Sequence, residues 1–422
     1  MSDLENLSPA ERYARSRKKS TSDLADFNAL LEFGMDKFQE DACQALSENH
    51  GVLVAAPTGA GKTIVAEFAI HLAVKRNLKV FYTTPIKALS NQKYSELVER
   101  YSEAQVGLLT GDTSNNPDAQ ILVMTTEVLR NMIYANSSSL MNLGFVVMDE
   151  VHYLADRFRG AVWEEVILHL PKDVLVVSLS ATVSNAEEFG AWLDEVRGNT
   201  KVIVSEHRPV PLNQHVLFGT DLIDLFDAET NTKRVNPELL QRHSNAMRNP
   251  VARPSRGRRG HSNDWVKKQV RIEKASKPEL IDILAEEDLL PAIFFIFSRA
   301  GCEAALNQCV RSGMRLTNHE ERKKIREIVE ASCYTIADED LATLGYHEWL
   351  DSLERGFAAH HAGMLPAFKE VVEELFLNKL VKVVFATETL ALGINMPART
   401  VVLDRLEKFN GEGQVQITPG EY

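Results

Sequence analysis

Five short runs in the first half of this chain are apolar at nearly every position: GVLVAA (51–56), KVFYTT (79–84), QILVMTT (120–126), FVVMDE (145–150) and VLVVSLSAT (174–182). A strand with one wet face alternates apolar and polar residues. A run without alternation is buried on both faces, which requires a parallel sheet between two helical layers. Between the first two runs, residues 63–75 set Ile64, Val65, Phe68, Ala69, Leu72 and Ala73 on one helical face. This alternation predicts an α/β fold with right-handed crossovers. It resumes late in the chain with AIFFIFS (292–298), FAAHHA (357–362), VKVVFAT (381–387) and TVVLD (400–404). At 422 residues the chain exceeds one ordinary core. Two similar α/β layers are expected.

The break between them falls near His207-Arg208-Pro209-Val210-Pro211, where two prolines forbid a continuing helix. From about 227 to 275 the chain is polar, and its Arg-rich stretch from Arg248 to Gly260 is too poor in apolar residues to bury a core. The expected organisation is a polar tail over 1–28, a first domain over 29–205, a connector with a disordered insertion over 206–275 and a second domain over 276–422. No apolar run reaches the roughly 20 residues of a membrane helix, and the N-terminus lacks a signal peptide's apolar segment. Cys43, Cys302, Cys309 and Cys333 form no CxxC pair, which speaks against a zinc site or a disulfide framework. A cytoplasmic protein is expected, without membrane attachment. The net charge of −12 disfavours a protein that coats nucleic acid through bulk positive charge, while leaving room for uncharged phosphate contacts.

Chemistry concentrates where strands end. Ala56-Pro57-Thr58-Gly59-Ala60-Gly61-Lys62-Thr63 follows a buried run and opens a helix, the setting of a P-loop. Its glycines let backbone N–H groups curl around a phosphate at a helix N-terminus. Lys62 is placed for the β- and γ-phosphates of ATP, and the Thr63 hydroxyl for Mg²⁺. The first position of the motif is Ala56 rather than Gly, and the competing reading is a glycine-rich surface turn. Asp149-Glu150-Val151-His152 ends the strand FVVM, at the edge where open α/β sheets bind ligands. Asp149 suits a Mg²⁺ ligand and Glu150 a base for the attacking water. His152 is either a third member of the site or a satisfied core histidine.

Further motifs follow in order: Thr83-Thr84-Pro85-Ile86-Lys87-Ala88-Leu89-Ser90-Asn91-Gln92-Lys93, the DEVH box, Ser180-Ala181-Thr182, and the run from Thr387 to Pro397 (TETLALGINMP). Together they resemble a superfamily 2 helicase of the Ski-like DExH branch, of the HelY type, from about residue 30 to the C-terminus. The resemblance implies two RecA-like parallel-sheet domains in tandem, the second incomplete, which close on ATP around a single strand of RNA. By the same resemblance, Phe33 and Gln39 would stack on and bond the adenine, with Pro57, Thr58, Gly59, Ala60, Gly61, Lys62, Thr63, Gly393 and Asn395 completing the nucleotide site. Thr84, Pro85, Lys87, Gly111, Thr126, Glu127, Ser298, Arg299 and Thr387 would hold nucleic acid. Groups leaving strands can grip a phosphodiester backbone without reading bases. Singly, several of these are as well explained as caps or turns, and Thr126 suits a cap for a helix over 128–132. Ser180 and Thr182 would couple the two sites, or cap a turn.

Other features carry plainer readings. His360 and His361 are adjacent on a strand and so face opposite ways, which argues against a shared metal. Cys302 and Cys309 read as core. The Arg-rich insertion reads as a solvated linker or as an arm that adds salt-dependent RNA binding. The resembled family continues into an Arg-rich motif, roughly QxxGRxGR, whose arginines act on the γ-phosphate and whose Gln partners His152. This chain ends at Tyr422 before it. An arginine finger contributes about 10³–10⁵ in rate, so ATP binding with weak turnover is expected. RNA rests on the resemblance; a DNA-translocating ATPase and a non-catalytic ATP-gated clamp are the other readings.

Overall fold

The structure, a computed structural model, describes residues 23–155, 160–181, 185–227, 234–248, 275–334, 343–390, 396–409 and 413–417. Its architecture is α/β in two RecA-like units, one ending at Pro211 and the other beginning at Leu212.

In the first unit, α1 (Asp23–Asn28) and α2 (Lys37–Ser47) lead into β1 (Gly51–Ala55). Then come α3 (Thr63–Lys75), β2 (Lys79–Thr84), α4 (Lys87–Tyr101), β3 (Val106–Leu109), β4 (Ser114–Asn115), β5 (Ile121–Thr125), α5 (Thr126–Tyr134) and β6 (Leu143–Met148). The unit ends with α6 (Gly160–His169), β7 (Leu175–Ser180), α7 (Ala186–Arg197) and β8 (Thr200–Val204). The eight strands lie in the order β4-β3-β5-β2-β6-β7-β1-β8. All pairings are parallel except the antiparallel β3–β4 edge.

The unbroken apolar runs have a direct explanation. Successive strand residues point to opposite faces, and each face meets its own core. Val52, Val54, Val80, Tyr82, Phe145 and Val147 pack under α2, α3 and α4. Leu53, Phe81, Leu122, Val146 and Met148 pack with Leu129, Trp163 and Ile167 of α5 and α6. Both sets are out of water, so both parities of position are mainly apolar, with small hydroxyl residues such as Thr83 and Ser178 the buried exceptions. The α3 helix is buried beyond the one face read from sequence, with Ala66 and Ile70 also fully covered.

The second unit opens with the antiparallel hairpin β9 (His215–Phe218) and β10 (Asp221–Asp224), followed by α8 (Pro237–Arg248) and α9 (Lys277–Glu286). Next are β11 (Ala292–Phe295), α10 (Arg299–Arg311), α11 (His319–Cys333), α12 (Tyr346–Glu354), β12 (Phe357–His360), α13 (Pro366–Leu377), β13 (Val383–Ala386) and β14 (Thr400–Leu403). A small hairpin, β15 (Glu407–Phe409) and β16 (Gln414–Gln416), follows. The main sheet is partial, four parallel strands in the order β12-β13-β11-β14. It repeats the two-faced core: Ala292, Phe294, Phe357 and Phe385 on the side of α9 and α10, Ile293, Ala358 and Val384 on the side of α11–α13. Capping boxes Ser276/Glu279 and Asn318/Glu321 start α9 and α11 by answering the free N–H groups of the first turn.

Two expectations change. The segment assigned to a connector carries the β9–β10 hairpin and α8, and these group with the second unit. The polar helix α8 forms because Pro237 sits at its start, Asn236 accepts from the Glu238 N–H, and Leu239 is buried. Thr126 is not a cap: it is the first residue of α5, and its hydroxyl donates to Thr84 O at 3.3 Å. The Arg-rich stretch after Arg248 lies outside the described residues, as do the 1–22 part of the tail, Thr182, Gly393 and Asn395. Among the described residues, no helix is long and apolar enough to cross a membrane.

Candidate active site

The strand order divides the C-terminal edge of the first sheet into two halves. The exits of β3, β5 and β2 adjoin one another and carry Gly111, Thr126, Thr84 and Pro85. The exits of β6, β7 and β1 adjoin one another and carry Asp149, Ser180 and the P-loop. The residues expected to hold nucleic acid and those expected to hold nucleotide therefore occupy neighbouring halves of one edge, meeting between β2 and β6.

Gly59 and Gly61 have φ of +81° and +80°, backbone that favours glycine. A Cβ on Gly61 would lie 2.6 Å from Gln39 Nε2. Gln39, 4% exposed, is bonded on both sides of its amide. Its Oε1 accepts from Asp36 N at 2.8 Å, and its Nε2 donates to Gly61 O at 3.0 Å and Ala60 O at 3.4 Å. Gln39 thus braces the loop, and an adenine contact would require exchange of these bonds. Phe33 is 58% exposed just before α2. Pro57 and Ala60 are buried, Thr58 and Gly59 exposed, and Thr63 half-buried at the first turn of α3. The Lys62 ammonium donates to the carbonyls of Ala56 at 2.8 Å and Pro57 at 3.1 Å. Burial holds its pKa below the usual lysine range, with Glu150 and Asp149 opposing the shift.

Beyond β6, Asp149 is held from two sides. Tyr82 donates its hydroxyl to Oδ2 at 2.6 Å, and the Glu150 N–H donates to Oδ1 at 3.0 Å. Glu150 sits in left-handed backbone, φ +55°. Burial and then the charge of Asp149 push its carboxyl up to about 7, against the pull of Lys62. About a third of the side chain touches solvent, yet Oε2 itself is out of water without a hydrogen-bond partner among the described residues. His152 Nδ1 lies 3.2 Å from that oxygen but out of hydrogen-bond alignment. Burial, then Lys62, lowers the His152 pKa, which favours a neutral ring. A carboxyl near 7 with an unengaged oxygen has the properties of a general base. The donor set also fits Mg²⁺: Thr63 and Asp149 offer hydroxyl and carboxylate oxygens, the hard ligands this ion takes alongside phosphates.

In the other half, the hydroxyls of Thr84 and Thr126 are turned inward. Thr84 Oγ1 bonds Ile86 O at 3.0 Å and Ser90 Oγ at 2.7 Å, and both threonines are buried. The Thr126 hydroxyl, on Thr84 O, ties the exits of β2 and β5 together, while that of Thr84 holds the turn into α4; neither is turned to a ligand. The exposed groups there are Lys87 and Asp112, paired at 2.6 Å, and Gly111, with Glu127 half-buried. In the second unit, Ser298 caps α10 by accepting from Gly301 N at 3.2 Å, and Arg299 follows it, exposed. The Thr387 N–H donates to His360 O at 3.2 Å, so the exits of β12 and β13 are joined. His360 and His361 do part company: one bonds Glu373 of α13 at 2.8 Å, the other Glu303 of α10 at 2.9 Å.

Tyr82 is the residue the sequence reading passed over. The signal was a phenol inside an otherwise apolar buried run, since a buried Tyr hydroxyl needs a partner. Burial and Asp149 hold it well above the usual tyrosine range, so it stays a donor.

Residues 36–189, which contain the P-loop and the DEVH box, match the family model of DEAD/DEAH box helicases. The chain is 60% identical over 411 residues to the probable helicase HelY of Mycobacterium leprae, covering 95% of this chain and 44% of that protein. It is 39% identical over 398 residues to the exosome RNA helicase MTR4 of Homo sapiens, covering 92% and 36%. It is 37% identical over 435 residues to the antiviral helicase SKI2 of Saccharomyces cerevisiae, covering 92% and 33%. The chain therefore spans less than half the length of these curated relatives.

Proposed function

We propose that this chain, similar over more than nine-tenths of its length to helicases of the Ski-like DExH branch, is an ATP-hydrolysing helicase core that acts on single-stranded RNA. The observation that carries the reading is the Glu150 carboxyl, pushed up to about 7 and left with one unengaged oxygen at the exit of β6. Lys62 exchanges its carbonyl bonds for the β- and γ-phosphates of ATP, and the N–H groups of the loop around Gly59 and Gly61 receive phosphate oxygens. Thr63 and Asp149 hold Mg²⁺, which supplies charge neutralisation on the phosphates when bound. Glu150 orients the attacking water and takes its proton, with His152 beside it as a neutral partner. Phe33 and Gln39 serve the adenine.

The exits of β3, β5 and β2 supply the grip on the strand through Lys87, Gly111 and Glu127, with Thr84 and Thr126 as the internal braces of that edge and Pro85 buried beside them. Ser298, Arg299 and Thr387 serve the same purpose on the second sheet, and Gly393 with Asn395 are carried over as nucleotide-binding residues by family resemblance. RNA as the substrate is inferred from relatives whose names say RNA helicase. A mostly neutral set of contacts suits a protein of net charge −12.

The test is ATP turnover by wild type and Glu150→Gln, with and without single-stranded RNA or DNA of one sequence. We expect turnover to fall at least 10²-fold in the variant, as loss of a general base commonly does, with ATP binding retained. Stimulation should be greater with RNA. Unchanged turnover in Glu150→Gln would defeat the assignment, and equal stimulation by DNA would defeat the RNA preference.

A further inference from the structure

The two halves of the first sheet's edge meet between β2 and β6, and one side-chain hydrogen bond crosses that seam at the carboxylate. Tyr82 lies opposite Val147 in the register, and Asp149 N bonds Thr83 O at 3.0 Å, which fixes the strand end just beyond it. From there the phenol reaches Asp149 Oδ2 at 2.6 Å. Tyr82 is 1% exposed and its ring is enclosed in the core, with Lys93 Nζ 5.6 Å from the ring centre. Oδ1 is meanwhile committed to the Glu150 N–H. The carboxylate plane is thus set by one bond from its own backbone and one from β2. Without the second bond, the carboxylate would keep only the first and could rotate about its stem.

We propose that Tyr82 is a positioning residue whose hydroxyl orients the Asp149 carboxylate for its divalent cation, tying that carboxylate to the strand whose exit carries Thr84 and Pro85. This rests on the reading that Asp149 holds Mg²⁺. Ligating carboxylates depend on hydrogen bonds from a surrounding shell, and loss of such a partner typically costs about 10–100-fold in metal affinity. A phenol suits the task here because a rigid ring sealed in the core leaves its hydroxyl little freedom. It also carries no charge to compete with the cation.

The experiment is equilibrium binding of a non-hydrolysable ATP analogue to the full 422-residue chain while Mg²⁺ is titrated, and again in excess EDTA. Tyr82→Phe should raise the half-saturating Mg²⁺ concentration about tenfold. Its affinity for the analogue in EDTA should match wild type. Tyr82→Met, which also lacks the donor but packs more adaptably, serves if the Phe variant does not fold, with the same expectation. Val147→Ala opens space in the same core and leaves the hydroxyl in place, so it should lower the melting temperature without moving the Mg²⁺ midpoint. Asp149→Asn should abolish most of the Mg²⁺ dependence. A Tyr82→Phe midpoint equal to wild type overturns the proposal for Tyr82 alone, as does a Val147→Ala midpoint shifted equally. Wild-type binding indifferent to Mg²⁺, or an Asp149→Asn titration identical to wild type, overturns the underlying metal reading and the proposal with it.

Discussion

At the scale of single residues, the P-loop shows how one motif hides two different requirements. Gly59 and Gly61 share a positive φ, but a Cβ on Gly59 would meet nothing within 4 Å, while one on Gly61 would strike Gln39. Gly59→Ala should therefore cost only the left-handed backbone penalty, about 1–2 kcal/mol. Gly61→Ala should cost that and about 1 kcal/mol more, because Gln39 must give up its bonds to Ala60 and Gly61. Thermal melts of the two variants test the order, and equal losses would remove Gln39 as a brace. The sequence made the loop legible because its spacing is dictated by phosphate geometry. It did not reveal where hydroxyls point: Thr84 and Thr126 sit at the expected strand exits, yet their side chains satisfy each other's neighbourhood. Short polar side chains at a strand end have backbone partners within reach, and only packing decides between those and a ligand.

At the scale of elements, the buried strands were legible because burial on both faces leaves no choice of residue type, and all nine apolar runs contain a strand. The β8 strand was not. It lies at the edge of the sheet, with Val202 and Val204 partly exposed, so its pattern lacks the continuous apolar character of β1. The β3 strand, only VGLL, is too short to stand out from its surroundings. The α8 helix was hidden by its polarity, since one buried Leu239 is a faint periodic signal. Packing of α7 on β8 turns on Gly190, buried in the helix interior, whose added Cβ would stand 2.1 Å from Val202 Cγ2. Ala is the better helix former by about 1 kcal/mol, so propensity alone favours Gly190→Ala. We expect the opposite sign, a loss of about 1–3 kcal/mol from overpacking. Val202→Ala should remove most of that loss when combined with it. Denaturant melts of the two single variants and the double decide the matter: a stabilised Gly190→Ala, or a double no better than Gly190→Ala, would contradict the contact.

At the scale of the whole molecule, the four cores divide cleanly by sequence. Those of the first sheet draw only on residues before Pro211, and those of the second only on residues after it. The cysteines report on each: Cys43 lies in the first unit, and Cys302, Cys309 and Cys333 in the second, all buried and free. Burial pushes the thiols of Cys43, Cys302 and Cys309 up to about 12 and raises that of Cys333. The thiolate is the reactive form, so none should react with a disulfide reagent at neutral pH in the folded chain. Denaturant should then expose them in two steps rather than one. The sensitivity of each unit scales with the surface it uncovers, and the eight-stranded sheet is sealed on both faces where the second has four strands. The transition that exposes Cys43 should accordingly be the steeper in urea, with the other three labelled together in a shallower one. Mass spectrometry of labelled peptides across the titration reads this directly. Labelling of all four at one midpoint would mean that the two units unfold as one cooperative body despite their separate cores.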